Sequence, residues 1–155
     1  MPDESLLTDE VRALVGREQV LGMVQVTPRA VRRAVEVYTG RIPKSLPADG
    51  EDVPGYAIAA FEGDFEPEPL PSLMPNSLLI ANEWSFERPL RMGETLTAVH
   101  VVASITERFG GRFGYSIDTR TETLYKDLDG GVVARSGFTM TQYSAAEARE
   151  GGGGL

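Results

Sequence analysis

Three long runs with strand-like alternation dominate the second half of the chain. In Tyr115–Tyr125, every second residue from Tyr115 is aromatic or β-branched and most residues between are polar. This period predicts a β-strand with one buried face. Thr95–Thr106 and Val132–Tyr143 have similar length and a similar content of β-branched residues, which favours strands there too. Ile80–Leu90 is predicted as a further strand that leads into this group.

Glycine-bearing segments separate the three runs. Phe109–Arg112 and Asp129–Gly131 supply positions at which a positive φ costs little, so each segment can close a hairpin. We therefore predict an antiparallel meander of long strands. The residues upstream must cover its apolar face.

Helical spacing of apolar residues occurs near the N-terminus. Residues 4–15 have this spacing and are followed by Gly16. Thr27-Pro28 is a favourable helix start, and Gly40 follows the apolar stripe of residues 28–39. Leu21–Val26 is a short apolar run, predicted as a strand or an extended approach. The helix over 28–39 is the natural cover for the sheet.

The connection Arg41–Asn76 has a different composition, with seven of the ten prolines. Gly55–Phe61 is apolar enough to predict a short helix, whereas Phe65–Pro75 has proline too often for regular structure. Long connections of this kind are usually functional or disordered. We interpret its acidic residues as a solvated loop: Glu51, Asp52, Glu62, Asp64, Glu66 and Glu68.

Composition narrows the class of protein. The 155 residues predict one domain over residues 1–149, with a flexible glycine-rich tail over residues 150–155. The net charge of −8 argues against a nucleic-acid partner, and no apolar run approaches the length of a membrane span. The acidic N-terminus does not have the pattern of a signal peptide, so we expect a soluble cytoplasmic protein.

The chain has one histidine, His100, and no cysteine. A multi-histidine or cysteine-ligated metal site is therefore excluded within this chain, and we expect no metal and no cofactor. His100 lies in the middle of a predicted strand and is interpreted as a packed or hydrogen-bonded sheet residue. A functional role would require a carboxylate partner, for which Glu122 and Glu107 on neighbouring strands are the candidates.

Several phrases of the sequence resemble those of a known family. Phe86–Leu96 reads FERPLRMGETL and resembles the F-x-R-P-[LV]-R-x-G-[DE]-T-L phrase of MaoC-like acyl dehydratases. Glu107–Gly114 (ERFGGRFG), followed by TET at 121–123, is similar to the next hairpin of the N-terminal-type MaoC domain, and two N-terminal phrases are similar as well. The resemblance covers about residues 6–143. It implies an α+β class and a single hot-dog fold, with a long antiparallel sheet wrapped around a central helix.

The chain departs from this family where catalytic members carry G-D-x-N-P-[LIV]-H, just after the helix. Here Gly40–Ser45 reads GRIPKS, without the aspartate and histidine that activate a water in catalytic members. The resemblance therefore implies no complete catalytic site in this chain. It implies a non-catalytic subunit of an enoyl-CoA hydratase or 3-hydroxyacyl-thioester dehydratase, paired with a MaoC-like chain that has the aspartate–histidine motif. Such a half shapes the tunnel for a bulky or long acyl group of lipid or steroid metabolism, carried on coenzyme A or an acyl carrier protein.

Five residues are candidates for substrate binding. Arg29 and Arg33 on the helix, and Arg112 at a hairpin tip, are predicted to contact coenzyme A phosphates. Tyr56 and Ala59 are predicted to line the acyl tunnel. The arginines of the helix also fit the solvated face of an amphipathic helix, and Trp84 and Phe86 fit a core or an interface as well as a tunnel wall.

Two other functions stay open. One is a hot-dog thioesterase that uses a carboxylate such as Glu36 or Asp64, and the other is a non-enzymatic acyl-CoA-binding protein. In each case we expect a dimer or higher oligomer, because a long open sheet edge invites association. A different MaoC-like chain is the preferred partner, with a homodimer as the alternative.

Overall fold

The computed structural model describes residues 5–62 and 65–146. Its centre is a five-stranded antiparallel sheet in the order β1-β3-β4-β5-β2. The strands are β1 (Glu18–Gln25), β2 (Asn76–Phe86), β3 (Thr95–Arg108), β4 (Ser116–Lys126) and β5 (Val132–Tyr143).

The predicted meander is formed by β3, β4 and β5. Its strands lie within two residues of the predicted bounds, and Val132–Tyr143 has the predicted bounds at both ends. Gly110 and Gly130, in the two connecting turns, have φ values of 82° and 87°. Residues with a side chain rarely adopt such values, so these two glycines allow the tight hairpins.

The fourth predicted strand does not enter the sheet beside β3. It is shifted to Asn76–Phe86 and pairs with β5, at the opposite side of the sheet from β1. β1 pairs with β3, its only partner among the described residues. The sheet therefore has two edges, β1 and β2.

One helix covers half of one face of the sheet. Helix α2 (Pro28–Thr39) has the predicted boundaries: the Thr27 side chain accepts a hydrogen bond from Ala30 N, and Gly40 ends the helix in the left-handed conformation. The buried residues of α2 pack with residues of the sheet in the first core. The buried residues of this core are Val24, Val26, Val31, Ala34, Val53, Ala57, Ile58, Phe61, Leu90, Met92, Leu96, Ala98, Tyr125, Val133 and Ala134.

The predicted N-terminal helix is much shorter than residues 4–15. Helix α1 comprises Asp9–Arg12, capped by Thr8, and only Val11 of the helix is buried. Its single buried residue does not support a longer amphipathic helix. Val11 belongs to a second, smaller core, with Leu7, Val102, Ile105, Tyr115 and Ile117.

The connection between α2 and β2 contains two kinds of structure. Gly55–Ile58 forms a 3₁₀ turn and continues into helix α3 (Ala59–Glu62), so the predicted short helix is present. Residues 65–75 form neither helix nor strand, in agreement with their proline content. We call residues 65–75 the cover, because they lie over the same face of the sheet as α2, beyond the end of the helix. The glycine-rich tail at 150–155 lies outside the described residues.

Within the described ranges, no helix has the length and apolar character needed to cross a membrane.

Candidate functional site

A cavity of about 330 Å³ lies between the cover and the sheet. We call it the main cavity. Its roof consists of residues 67–75, and its floor comes from β3, β4 and β5. The floor residues are His100, Thr119, Thr121, Met140 and Gln142, and Asn76 and Ser77 of β2 complete the wall.

A smaller space of about 120 Å³ adjoins the main cavity. We call it the side cavity. Pro67, His100 and Thr121 line both spaces, so the two belong to one site. The other residues around the side cavity are Leu21, Glu62, Phe65, Thr123, Tyr125 and Phe138. The combined volume falls in the range typical of small-molecule sites.

Gln142 of β5 holds one part of the cover to the sheet. Its Oε1 accepts hydrogen bonds from the backbone N of Leu73 at 2.7 Å and of Met74 at 3.1 Å. Its Nε2 donates to the carbonyl of Pro71 at 3.2 Å. Because Gln142 is buried, these bonds replace those that the cover backbone would otherwise make with a strand or with water.

The β1 edge of the sheet holds the other part of the cover. Gln19 Oε1 of β1 accepts from Glu68 N at 2.8 Å, and Arg17 donates to the Glu68 carbonyl at 3.0 Å. Arg17 also lies 3.7 Å from the Glu68 carboxylate. With anchors on β5 and at the β1 edge, and with four prolines that fix φ, the cover is a defined wall.

Polar residues cross the floor where the two cores meet. His100 on β3 is paired with Thr123 on β4, which is paired with Ser136 on β5. Thr121 lies on the same face as Thr123, two residues earlier. We call His100, Thr121, Thr123 and Ser136 the polar band.

The polar band interrupts apolar residues on the same strand face. On β3, Leu96 and Ala98 belong to the first core and Val102 to the second, with His100 between them. On β4, Tyr125 belongs to the first core and Ile117 to the second. The cavities therefore lie at a polar zone between two apolar cores.

His100, on the floor shared by the two spaces, is buried, with 7% of its surface exposed. Burial, and after it the positive charge of Arg17, lower the pKa of His100 from its usual value. The ring is therefore neutral at physiological pH. Its Nδ1 is buried and has no hydrogen-bond partner within residues 5–62 and 65–146.

Glu62, at the end of α3, lies beside the same zone. Its Oε1 accepts from Trp84 Nε1 at 2.9 Å and from the hydroxyl of Ser136. The expectation that Glu62 belongs to a solvated loop is therefore wrong, because it is half-buried and bonded to the sheet. Its position four residues after the buried Ile58 was the available signal, since that spacing places two residues on one helical face.

Comparison with known proteins gives matches among solved structures. A MaoC-like dehydratase of Rhodospirillum rubrum is 19% identical and has a TM-score of 0.57, with 83% of this chain and 92% of that chain covered. C-terminally truncated HadBC, a 3R-hydroxyacyl-ACP dehydratase complex of Mycobacterium tuberculosis, is 17% identical at a TM-score of 0.55, with coverages of 83% and 96%. The ChsH1-ChsH2 complex of the same organism is 13% identical at a TM-score of 0.58, with coverages of 86% and 87%.

The chain has the hot-dog fold of the MaoC-like dehydratases. The fold predicted from the sequence is thereby confirmed, as is the resemblance at the level of the fold. No protein-family model and no curated protein sequence matches the chain.

The candidate arginines of this hot-dog chain do not form one cluster. Arg29 and Arg33 are exposed on α2. This helix starts near the N-terminal end of β3, because Val26, just before α2, donates a backbone hydrogen bond to the carbonyl of Glu94, just before β3. Arg112 is exposed on the turn that follows the last residue of β3, and its guanidinium carbon is 5.8 Å from the centre of the Phe113 ring. A strand of this length spans roughly 40 Å. Arg29 and Arg112 therefore cannot contact the same phosphate.

Tyr56 and Ala59 lie in the 3₁₀ turn and at the start of α3. The Tyr56 ring stacks on Tyr38 of α2, with 5.0 Å between the ring centres, and packs against the first core. Neither residue is among those that line the main or the side cavity. The residues that do so come from the cover, from Glu62 and from the strands, and were not predicted.

The expected carboxylate partners of His100 are placed elsewhere. Glu122 is paired with Val101, so it lies on the opposite face of the sheet from His100. Glu107 lies 3.4 Å from Arg12, near α1. Residues 40–45, after α2, are mostly exposed and form no part of the wall of either cavity.

The described residues include no group of three or more His, Asp or Glu side chains that could hold a metal ion.

Proposed function

We propose that this chain is a non-catalytic, acyl-binding subunit of a heteromeric MaoC-like enoyl-CoA hydratase or 3-hydroxyacyl-thioester dehydratase. The observation that carries the proposal is the roofed cavity on the inner face of the sheet, held open by a cover that is anchored to β5 and to the β1 edge. A bulky or long acyl group of lipid or steroid metabolism enters this space, while a partner chain carries out the chemistry.

The lack of a catalytic pair supports a non-catalytic role. Hydration of an enoyl thioester requires one group to orient the water and another to move its proton. Residues 40–45 offer neither an aspartate nor a histidine. Among the described residues, no carboxylate is bonded to Nδ1 of His100, and the Oε1 of Glu62 is already engaged by Trp84 and Ser136.

The β2 edge supports association with a second chain. Leu78, Leu79 and Ile80 are 46%, 46% and 44% exposed, on a strand that pairs only with β5 among the described residues. Unpaired edges with apolar side chains are normally covered in native proteins. HadBC and ChsH1-ChsH2, two of the similar structures, are complexes of two named components. We infer a partner of the same fold docked at this edge.

The two alternative functions predict different results. A thioesterase based on Glu36 has little support, because Glu36 lies 3.2 Å from Arg32 on α2 and lines neither cavity. Asp64 lies outside the described residues. A non-enzymatic acyl-CoA-binding protein would use the same cavity but would need no catalytic partner.

Hydration assays test the proposal. The purified chain should not hydrate crotonyl-CoA or longer enoyl-CoA, and it should release no free coenzyme A from acyl-CoA. Co-expression with a MaoC-like chain that carries the aspartate–histidine motif should give a stable complex that hydrates long or bulky enoyl-CoA. Turnover by the isolated chain, or a monomer that ignores every such partner, would contradict the proposal.

A further inference from the structure

We propose that His100, Thr121 and Thr123 of the polar band form a subsite for a neutral oxygen, a hydroxyl or a keto carbonyl, carried on the acyl group away from its thioester. The proposal rests on the proposed function, because it takes the ligand of the cavity to be an acyl group. It goes further by stating which acyl groups the cavity selects.

The first argument is the position of polar groups on a strand face that carries apolar cores on either side of them. A plain alkyl chain gains nothing from hydroxyl or imidazole groups, and polar groups without hydrogen bonds are costly to bury. The floor nevertheless has His100, Thr121 and Thr123 at the junction of the two cavities. Polar side chains at this junction are matched to a ligand that carries a polar group on an apolar body.

The second argument is the state of His100. The residue is 93% buried, lines both spaces, and has an Nδ1 without a hydrogen-bond partner in the described chain. A neutral imidazole has one donor nitrogen and one acceptor nitrogen, so it can bond to a hydroxyl in either sense or donate to a carbonyl. The neighbouring threonine hydroxyls have the same double capacity.

The third argument is charge, which excludes an anionic group. The described residues that line the two spaces include no lysine or arginine, but they include Glu62 and Glu68. A carboxylate or phosphate would be buried there beside negative charges, and the nearby cation, Arg17, is already paired with Glu68. Glu62 is engaged by Trp84 and Ser136, and Glu68 by Arg17, so neither is left free to select a cation. A neutral oxygen is the group that fits.

The two spaces suggest how such a ligand lies. The main cavity runs under the cover past Leu70, Met74 and Met140, and the side cavity adjoins it at His100. The apolar part of the acyl chain fits the main cavity, and its oxygen-bearing carbon fits the junction. The hydroxyl or keto group then meets His100, with Thr121 and Thr123 beside it.

Binding by the whole chain tests the subsite without any hydratase activity. The probes are decanoyl-CoA and decanoyl-CoA hydroxylated in the middle or at the end of its chain, measured by titration calorimetry. Trp84 fluorescence gives a second readout, because Trp84 is the one tryptophan and is bonded to Glu62 beside the band. At least one hydroxylated probe should bind about fivefold more tightly than decanoyl-CoA, the size expected for one hydrogen bond.

Variants identify the residue responsible. His100→Leu should abolish the preference and leave decanoyl-CoA bound as well as before or better. His100→Gln, which keeps a donor and an acceptor, should retain part of the preference. Met140→Leu, in the apolar wall of the main cavity, is the matched control and should keep the full preference.

Each remaining outcome has a definite meaning. Equal affinity of the wild-type protein for plain and hydroxylated probes overturns the subsite and leaves the proposed function standing. A preference that survives His100→Leu also overturns it. If the chain binds no acyl-CoA, and no complex with a catalytic partner does so either, both the subsite and the proposed function fail.

Discussion

The two halves of the inner sheet face are covered in different ways. Over one half, the regular helix α2 packs its buried side chains with the strands and leaves a closed apolar core. Over the other half, the proline-rich cover is held by side chains of Gln142, Gln19 and Arg17, and a cavity remains beneath it. The same strands supply both floors. The difference in cover therefore decides which half is a core and which is a binding site.

The comparison also explains the position of the polar band. A helix presents apolar side chains at every turn, so polar residues beneath it would be buried without partners. A non-helical cover with three prolines between 67 and 71 offers fewer such side chains and leaves room for a ligand. His100 lies at the boundary between the part of the sheet under α2 and the part under the cover, between Ala98 of the first core and Val102 of the second.

The largest expected difference between the halves is in stability. Leu96→Ala removes a fully buried side chain of the first core and should lower the free energy of unfolding by about 2–5 kcal/mol. Met140→Ala, at the wall of the main cavity, should lower it by only about 1 kcal/mol, because Met140 is half-buried and already borders open space. Urea denaturation of the two variants measures both values. Equal losses would mean that the cavity half is packed like the other half.

The anchoring of the cover gives the next largest effect. Gln142→Ala leaves the backbone N of Leu73 and of Met74 without their acceptor, and should cost about 1–3 kcal/mol of stability. Amide hydrogen exchange at Leu73 and Met74 should speed up, while exchange in α2 stays as it was. Gln19→Ala, which loses one exposed bond to Glu68, is the matched control and should have a smaller effect. Unchanged exchange at Leu73 and Met74 in Gln142→Ala would show that the cover does not need this anchor.

His100 predicts a pH dependence of stability. Since its pKa is lowered in the folded protein, the unfolded chain takes up a proton at His100 more readily. The stability that depends on neutral His100 is fully present above its ordinary pKa of 6.5, where the ring is neutral in the folded and in the unfolded chain. This stability is lost as the pH falls from 6.5 towards the lower pKa that His100 has in the folded protein. His100→Gln should flatten this part of the stability profile. Denaturation midpoints of both proteins across this range give the comparison, and identical profiles would contradict a shifted histidine.

The smallest expected effect concerns the exposed arginines. The main cavity reaches Ser77 and Gln142, which pair with each other in β2 and β5. The next pair, Asn76 and Tyr143, lies at the end of the sheet that also carries the turn with Arg112, where the Tyr143 ring contacts Phe113. If coenzyme A leaves the cavity at this end, Arg112→Ala should weaken acyl-CoA binding by about two- to fivefold, as for an exposed ion pair.

Arg29→Ala supplies the control for that prediction. Arg29 lies at the other end of β3, so its loss should not change the affinity for acyl-CoA. A loss with Arg29→Ala and none with Arg112→Ala would place the coenzyme at the α2 end instead.

Local features of the sequence account for most of the sheet and for α2. Alternation and glycine turns are properties of adjacent residues, so β3, β4 and β5 were predicted within two residues, and Thr27 and Gly40 gave the ends of α2. The partner of β2 could not be predicted in this way. Strand order depends on pairing between residues that are distant in the sequence. The alternation of polar and apolar residues along one strand does not show which strand it pairs with.

The site was the least predictable part for a related reason. In the sequence, His100 differs little from a packed strand residue, because its environment is set by where α2 ends and the cover begins. Glu62 belongs to a helix of four residues, too short to show a period of its own. The tunnel wall was expected at Tyr56 and Ala59, because their apolar helix was the visible feature of the connection. Gln142 gave no local signal that it would hold the cover.

Because of the way the cover is attached, the shape of the pocket and the pairing of the strands depend on different residues. Its backbone is bonded to side chains that project from the sheet, at Glu68 and at Pro71, Leu73 and Met74. It takes no part in strand pairing, so substitutions between these points change the shape of the pocket without disturbing the register of any strand. A lineage that keeps Gln19 and Gln142 can therefore acquire new acyl preferences by altering a few cover residues, with the folding of the sheet left intact.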